Sequence, residues 1–314
     1  MILDDSADTA RTHSAHADDP PALDNMQTRS RHYRPAAQLI PSVLATLGYL
    51  QPTPERPYNY AYEPPAGVPW ENYTHDRRPV LIYNGRCTPA RTSVDLEGYE
   101  LWNAPCATLD FSDRDAIVRR YYPELVELAL AATGAKHAYV FDHLVREREA
   151  SRNALGFGRT AKGAVATTNG QVHNDYTEAS GRKRLTLVLG DAVADVAFKR
   201  YSIINIWRSI KAPVLDTPLA VCDARTLAAQ DLIDAEVRYP RRTGEIYLTN
   251  YSPKHRWTYF PAMDLDEALV FKQYDSQLSG VARYTPHAAF DHPHAPDNAV
   301  PRVSIEARCL VVYE

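Results

Sequence analysis

The run YSIINIW at residues 201–207 opens a series of short apolar segments that fill the second half of the chain. Each segment is typical of a β-strand. Turn residues such as Thr243-Gly244, Ser252-Pro253 and Ser279-Gly280 separate the later segments, which lie at 219–221, 245–249, 256–260, 268–273 and 302–313. Many short strands at this spacing predict a β-sandwich or a jelly roll, and the jelly roll is the framework of cupin-like metal enzymes.

The first half of the chain mixes helix and strand. Residues 1–35 are polar with few large apolar groups and predict a mobile tail. Residues 80–85 and 138–143 predict strands, and a helix over 125–132 is expected to stop at Gly134. We therefore predict an α+β protein with a mainly β core, divided into the tail, an α/β extension at 36–160 packed on the core, and a catalytic core at 161–314. Residues 182–198 fit one helix about as well as two strands.

Composition excludes several classes of protein. With 35 basic and 39 acidic residues, the net charge of −4 argues against an electrostatic nucleic-acid binder. The four widely separated cysteines contain no Cys-x-x-Cys pair and predict buried thiols of a cytoplasmic protein. We expect no membrane span and no signal peptide, because no stretch is long and apolar enough. Nothing in the sequence predicts an oligomeric state.

His173 and Asp175 form a His-x-Asp pair within Gln171-Val172-His173-Asn174-Asp175-Tyr176-Thr177. In extended backbone alternate residues point the same way, so the imidazole and the carboxylate can converge on one point. Two histidines and one carboxylate on one face of a metal leave other coordination positions open, as in non-haem iron(II) oxygenases. The pair alone occurs often by chance, so a second histidine is needed.

Three nearby histidines are candidates for that second imidazole. His287 lies at or just after a predicted strand among apolar neighbours, whereas His292 and His294 lie in a proline-punctuated loop. A ligand must be held rigidly and shielded from water, which favours His287. His255 is the main competitor, although an isolated histidine is more often a core or substrate-contacting residue.

Arg302 and Ser304 share one face of the last predicted strand, so a guanidinium and a hydroxyl could bind one carboxylate together. An enzyme that chelates a 2-oxo acid at iron needs such a contact for the distal carboxylate. The alternative is a surface salt bridge from Arg302 to Glu306 or Asp297. Arg208, at the end of the strand over 201–207, is a further possible anion-binding residue inside the barrel.

In order along the chain, a set of motifs resembles the AsaB-like hydroxylase/desaturase family, which includes gibberellin desaturase and cephalosporin 7α-hydroxylase-like enzymes. The likeness runs from about residue 80 to residue 314, and the motifs are HNDYT at 173–177, NIWR at 205–208, CDAR at 222–225, HRWTYFP at 255–261, YTPHAAF at 284–290 and RVSIEAR at 302–308. The resemblance implies a double-stranded β-helix core and an iron(II)- and 2-oxoglutarate-dependent oxygenase.

Carried over residue by residue, the family pattern makes His173, Asp175 and His287 the iron ligands and Arg302 with Ser304 the 2-oxoglutarate site. The expected reaction is hydroxylation or desaturation of a small-molecule secondary metabolite with O2, through an iron(IV)-oxo intermediate. Two other hypotheses remain: a cupin-like metal hydrolase or isomerase, and a non-catalytic jelly roll that binds a small molecule. Substrate identity does not follow from the family, because fold and family host different substrates.

Overall fold

The computed structural model describes residues 40–88, 90–107, 110–149, 155–158, 165–195 and 199–313, so the tail predicted at 1–35 lies outside it. The strands along these ranges are β1 (Ser42–Leu50), β2 (Tyr58–Tyr60), β3 (His75–Asn84), β4 (Tyr99–Asn103), β5 (His137–Glu147), β6 (Ala166–Thr167), β7 (His173–Asn174), β8 (Tyr201–Ser209), β9 (Leu219–Cys222), β10 (Leu232–Arg238), β11 (Thr243–Thr249), β12 (Trp257–Tyr259), β13 (Glu267–Asp275), β14 (His287–Ala289) and β15 (Val303–Val312). The helices are α1 (Arg114–Ala116), which continues through a π-helical segment (Ile117–Tyr121) into α2 (Tyr122–Thr133), then α3 (Glu178–Leu189), with 3-10 turns at Gly85–Cys87, Gly190–Asp195, Ala224–Thr226 and Ala229–Asp231.

The strands form two sheets. The nine-stranded sheet has the order β1-β3-β12-β9-β14-β7-β11-β10-β2, and the six-stranded sheet has the order β4-β13-β8-β15-β5-β6. Neighbours in these orders are mostly distant in sequence, as expected when two curled sheets form a jelly roll. The predicted mainly β, double-stranded β-helix fold is therefore confirmed.

One face of the six-stranded sheet is covered by the α1–α2 helix. Ile204 and Ile206 of β8 pack in one buried cluster with Ile305 and Ala307 of β15 and with Leu125 of α2. Because side chains alternate along a strand, the residues between them point to the opposite face, towards the other sheet. On β8 and β15, every second residue therefore faces the helix, and the residues between them face the interior of the jelly roll.

Part of the interior between the two sheets is filled by apolar side chains. Trp207, Leu269 and Phe271 of the six-stranded sheet pack in a single cluster with Leu219 and Val221 of the nine-stranded sheet. Each side chain of this kind contributes about 1.5–3 kcal/mol by burial. The cluster fixes the two sheets against each other at the place where the polar residues described below converge.

In the stretch 182–198, whose sequence fits a helix about as well as two strands, residues 182–195 lie in α3 and the 3-10 turn that follows it. Residues 196–198 are outside the described ranges. Thr177 begins the helix: its hydroxyl accepts from the Ser180 N–H, and the Ser180 side chain accepts from the Thr177 N–H. This reciprocal capping satisfies donors that a helix start leaves unpaired. It also fixes the backbone two residues beyond Asp175.

Strands from before residue 160 contribute to both sheets. β1, β2 and β3 lie in the nine-stranded sheet, and β4 and β5 lie in the six-stranded sheet beside later strands. The division of the chain into an extension at 36–160 and a core at 161–314 stays a prediction.

Gly98→Ala is expected to destabilise the protein more than Gly67→Ala. Both glycines have positive φ, +92° and +80°, where alanine costs roughly 1–2 kcal/mol. At Gly98 a Cβ would also lie 2.2 Å from Thr285 Oγ1, whereas at Gly67 it would meet nothing within 4 Å. Overpacking of this kind adds about 1–3 kcal/mol. Urea unfolding of both variants measures the difference, and equal losses of stability would contradict this packing.

Candidate metal centre

His173 and His287 are direct cross-strand partners on the antiparallel strands β7 and β14. Side chains directly opposite each other in such a pair lie on the same face and in contact. The imidazole ring centroids are 4.3 Å apart, and both residues are buried. The structure therefore brings together two histidines that are more than one hundred residues apart in sequence.

Asp175 follows β7 directly, and its carboxylate lies on the same side as His173. Its Oδ1 is 3.6 Å from His173 Nε2. The backbone N–H of Asp175 donates to Gln273 Oε1 at 2.7 Å, which fixes the chain between β7 and α3. One ligand atom from each of His173, Asp175 and His287 lies within 4.8 Å of the other two.

Hydrogen bonds define which imidazole nitrogens face this common point. His173 Nδ1 lies 2.7 Å from the Gln171 carbonyl, and His287 Nδ1 lies 3.4 Å from the Thr285 carbonyl. Since a carbonyl only accepts, Nδ1 of His173 carries the proton and its Nε2 keeps a lone pair. His287 Nδ1 lies between two groups, the Thr285 carbonyl and, at 3.5 Å, the side-chain amide of Gln273. Burial lowers the pKa of each histidine to about 4, so both imidazoles are neutral at neutral pH.

Sequence reasoning did not assign a role to Arg308, Asn205 or Glu306, which surround Asp175. The Arg308 Nε and the Asn205 Nδ2 both donate to Asp175 Oδ2 at 2.9 Å. Burial alone would raise the pKa of Asp175, but the positive charge of Arg308, together with the hydrogen bond from Asn205, outweighs it and holds this pKa well below its usual range. Burial and the charge of Asp175 raise the pKa of the neighbouring Glu306 carboxyl.

A signal for two of these residues was present in the sequence. Ser304, Glu306 and Arg308 share one face of β15, and Arg302, directly before the strand, starts the same two-residue alternation. Asn205 pairs with Arg308 in register on the neighbouring strand β8. The strand pairing that places Asn205 there is not readable from a single sequence.

Arg302 is buried at 3% exposure beside the same site. One guanidinium nitrogen donates to the Thr217 carbonyl at 2.9 Å, and the group lies 5.4 Å from the Trp207 ring centroid. Its Nε has no hydrogen-bond partner among the described residues. Burial, and then the positive charge of Arg146, lower the pKa of Arg302 to about 9. The Nε of Arg208 is unsatisfied too, so the position of Arg302 next to Ser304, with the residues that face the interior, is what makes it the candidate site for an anion.

Among the described residues, Arg302 makes no ion pair with Glu306 or Asp297, the surface alternative considered from the sequence. Glu306 pairs instead with Arg308, at 3.2 Å. Ser304 is buried two positions after Arg302 on the same face of β15. The predicted pair thus faces the interior together.

Arg208 is not brought to this site. Arg208 is two positions after Ile206 on β8, so its side chain lies on the same, helix-covered face of the sheet. There its guanidinium lies 5.4 Å from the Tyr121 ring centroid. It also donates to the Leu265 carbonyl at 3.3 Å. The expected anion-binding position inside the barrel is therefore corrected: Asn205 and Trp207 face inwards from β8, and Arg208 does not.

The competing histidines are placed elsewhere as well. His292 lies 3.2 Å from the Tyr259 hydroxyl, and His294 is exposed. His255 is paired with Asp231 at 3.1 Å. None of the three is grouped with His173.

The residues present fit iron(II) and a 2-oxo acid. Two neutral imidazoles and one ionised carboxylate form the donor set of a facial triad, which suits iron(II) and leaves positions for other ligands. The orphaned N–H of Arg302 suits a carboxylate held beside that triad.

In the metal-free protein, the free energy of unfolding is expected to fall as the pH drops from about 6.5 towards 4. The unfolded chain takes up protons on His173 and His287 near the ordinary histidine pKa of about 6.5. The folded protein, with both pKa values at about 4, does not. Proton uptake by the unfolded state therefore favours unfolding in this window.

Urea unfolding of the metal-free protein at about pH 7.5 and about pH 5 measures this difference. His287→Gln should reduce the pH dependence, because it removes one group that the folded protein keeps unprotonated. His294→Gln, at an exposed position, is the matched control and should leave the dependence as it is. An unaltered pH dependence in His287→Gln would contradict the buried neutral state.

Comparison with known proteins agrees with this geometry. A family model described as an oxidoreductase/YMDC permease-like domain matches residues 47–312. The hydroxylase/desaturase efuI of Hormonema carpetanum is 30% identical over 294 residues, which cover 89% of this chain and 98% of that protein.

No helix in the described part of the chain has the length and apolar character needed to cross a membrane.

A second relative and one solved structure are also similar to this chain. The hydroxylase/desaturase asaB of Aspergillus flavus is 43% identical over 130 residues, 37% of this chain and 56% of that protein. The solved structure of the iron and alpha-ketoglutarate-dependent endoperoxidase NvfI has a TM-score of 0.76 and 25% identity, covering 87% of this chain and 98% of that one. The chain therefore belongs to the AsaB-like hydroxylase/desaturase family, and it is a dioxygenase that depends on iron(II), 2-oxoglutarate and O2.

Proposed function

We propose that His173, Asp175 and His287 hold the iron(II) and that Arg302 with Ser304 binds the distal carboxylate of 2-oxoglutarate. The observation that carries the proposal is the convergence of three donor atoms within 4.8 Å of one another, beside a buried arginine with an unsatisfied N–H. In this assignment Nε2 of each imidazole and Oδ1 of Asp175 are the donor atoms.

The protein's own contribution is positioning and exclusion of water. Bound iron(II) supplies the oxidising chemistry with O2 and 2-oxoglutarate, which leaves as succinate and carbon dioxide. His173 and His287 stay neutral and present fixed lone pairs, while the interior cluster around Trp207 and Phe271 shields the site from water. No side chain needs to act as a general base.

We propose that the substrate is a small molecule, a secondary metabolite, which the enzyme hydroxylates or desaturates. The support is the naming of efuI and asaB as hydroxylase/desaturase. The endoperoxidase activity in the name of NvfI belongs to that relative and marks a third type of product within the same fold. With a net charge of −4, we propose no nucleic-acid partner.

A cytoplasmic location is also part of the proposal. All four cysteines lie in the described part of the chain, and none forms a disulfide bond. Cys222 and Cys309 are buried as predicted, whereas Cys106 is half-buried and Cys87 is exposed, so the prediction of four buried thiols was wrong for these two. Reduced thiols are typical of reducing compartments.

Turnover under ¹⁸O2 is expected to identify the type of oxidation once a substrate is found. Mass spectrometry of the product should show one labelled oxygen for hydroxylation and none for desaturation, with one labelled oxygen in succinate in both cases. Two labelled oxygens in the product would indicate an endoperoxide and would contradict the hydroxylase/desaturase assignment.

The two remaining hypotheses differ from the oxygenase in one measurement. Anaerobic addition of iron(II) and then 2-oxoglutarate should give the metal-to-ligand charge-transfer colour in the oxygenase. A metal-dependent hydrolase or isomerase, or a binding jelly roll, would not give it. Asp175→Asn should abolish the colour, because it removes the anionic donor.

Arg302→Gln is expected to weaken 2-oxoglutarate binding roughly 10- to 150-fold, since a hydrogen bond to a charged group contributes about 1.5–3 kcal/mol. Titration of the iron(II)-loaded protein with 2-oxoglutarate under anaerobic conditions measures the change. The matched control is Arg208→Gln, another buried arginine, on the helix-covered face, which should keep the affinity. If Arg302→Gln kept the 2-oxoglutarate affinity and Arg208→Gln lost it, the carboxylate site would have to be assigned to Arg208.

A further inference from the structure

The two carboxylate oxygens of Asp175 have different surroundings. Oδ2 accepts two hydrogen bonds of 2.9 Å, from Arg308 Nε and from Asn205 Nδ2. Oδ1 accepts none from the described residues and lies 3.6 Å from His173 Nε2. One oxygen is therefore fixed by the protein, and the other faces the imidazoles.

Arg308 is itself held from three directions. Its Nη1 donates to Asp142 Oδ2 at 2.9 Å on β5, and its Nη2 donates to Glu306 Oε1 at 3.2 Å on β15. Asn205 is its register partner on the other side, on β8. Each of the three guanidinium nitrogens donates to a different carboxylate. These contacts fix the orientation of the guanidinium plane, so that the Nε–H points at Asp175.

A carboxylate can bind a metal through one oxygen or through both. Binding through both would require Oδ2 of Asp175 to leave its two donors and would leave the Arg308 N–H and the Asn205 amide unsatisfied in a buried place. Each unsatisfied group is costly. Binding through Oδ1 alone keeps both hydrogen bonds and uses one coordination position instead of two.

We propose that Arg308 and Asn205 are positioning residues that restrict Asp175 to one metal-binding oxygen and so reserve a coordination position for 2-oxoglutarate. The proposal rests on the proposed function, in which Asp175 is an iron ligand. It assigns these two residues no contact with the metal or the substrate.

The competing explanation is that Arg308 only neutralises the charges of Asp142, Asp175 and Glu306. Two observations speak against it. Asn205 is neutral, yet it binds the same oxygen of Asp175 as Arg308 does. Arg308 also meets Asp175 through a single nitrogen on a single oxygen, whereas neutralisation alone sets no preference between Oδ1 and Oδ2.

The test uses two variants that conserve charge. Asn205→Leu keeps the side-chain volume and removes the donor, and Arg308→Lys keeps the positive charge and loses the three-way guanidinium. Cobalt(II) replaces iron(II) as the probe, because its visible absorption reports coordination number and it is stable in air. Cobalt(II) affinity, the cobalt(II) spectrum and 2-oxoglutarate affinity of the loaded protein are measured for each variant.

In both variants we expect the affinity for cobalt(II) alone to be unchanged or higher, because Asp175 can then bind through both oxygens. We expect the visible absorption to weaken as the coordination number rises, and the 2-oxoglutarate affinity of the loaded protein to fall about tenfold or more. Arg200→Lys is the matched control. Arg200 also bridges two carboxylates, those of Asp275 and Asp95, away from this site, so the substitution should leave all three measurements unaltered.

Two results would overturn the proposal while leaving the iron site in place. One is an unaltered spectrum and 2-oxoglutarate affinity in both variants, which neutralisation alone predicts because both substitutions conserve charge. The other is a loss of cobalt(II) affinity in both, because the two donors would then be needed for metal binding itself. Retained cobalt(II) affinity in Asp175→Asn would instead overturn the proposed function itself, so the two failures are distinguishable.

Discussion

The site depends on one pairing, that of His173 on β7 with His287 on β14. Strand β7 has only two residues, so its own ladder cannot hold it firmly. Gln273 supplies what is missing: its side chain accepts from the Asp175 N–H and donates to the Thr285 carbonyl, next to β14. One amide from the six-stranded sheet therefore holds both ends of the pairing in the nine-stranded sheet.

Charge is divided along the inner faces of β15 and β5. At one end the charge of Arg146 lies close enough to Arg302 to lower its pKa. Arg146 pairs in register with Ser304, and among the described residues its guanidinium donates to the carbonyls of Gly158 and Thr167. At the other end the acidic groups predominate: Asp142, Asp175 and Glu306 each form an ion pair with Arg308. The cationic end suits a dicarboxylate, and the acidic end suits a divalent metal.

Much of this could be predicted from the sequence because it follows from local rules. The alternation of residues in extended backbone sufficed for His173 with Asp175 and for Arg302 with Ser304. The rigidity expected of a ligand favoured His287 over His292, and the strand segments of the second half correspond to β8, β9, β11, β12, β13 and β15. The same alternation, applied from Trp207, would have turned Arg208 away from the interior.

What could not be predicted lies between elements that only the fold brings together. Asn205 and Arg308 meet Asp175 across the two sheets, and no spacing in the sequence encodes that contact. β1 was not predicted, although it pairs along its whole length with β3. Long-range pairing and Coulomb contacts decide these features, whereas periodicity reports only which face a residue occupies.

The division of charge on β15 and β5 has a thermodynamic consequence. At each end the like charges repel one another, and a bound ion of opposite charge relieves that repulsion. The divalent metal and the dicarboxylate also attract each other once both are bound. Under the proposed assignment, we expect binding at one end to strengthen binding at the other, and linkage makes the effect equal in both directions. Such cooperative loading would need only fixed charges and no movement of the sheets.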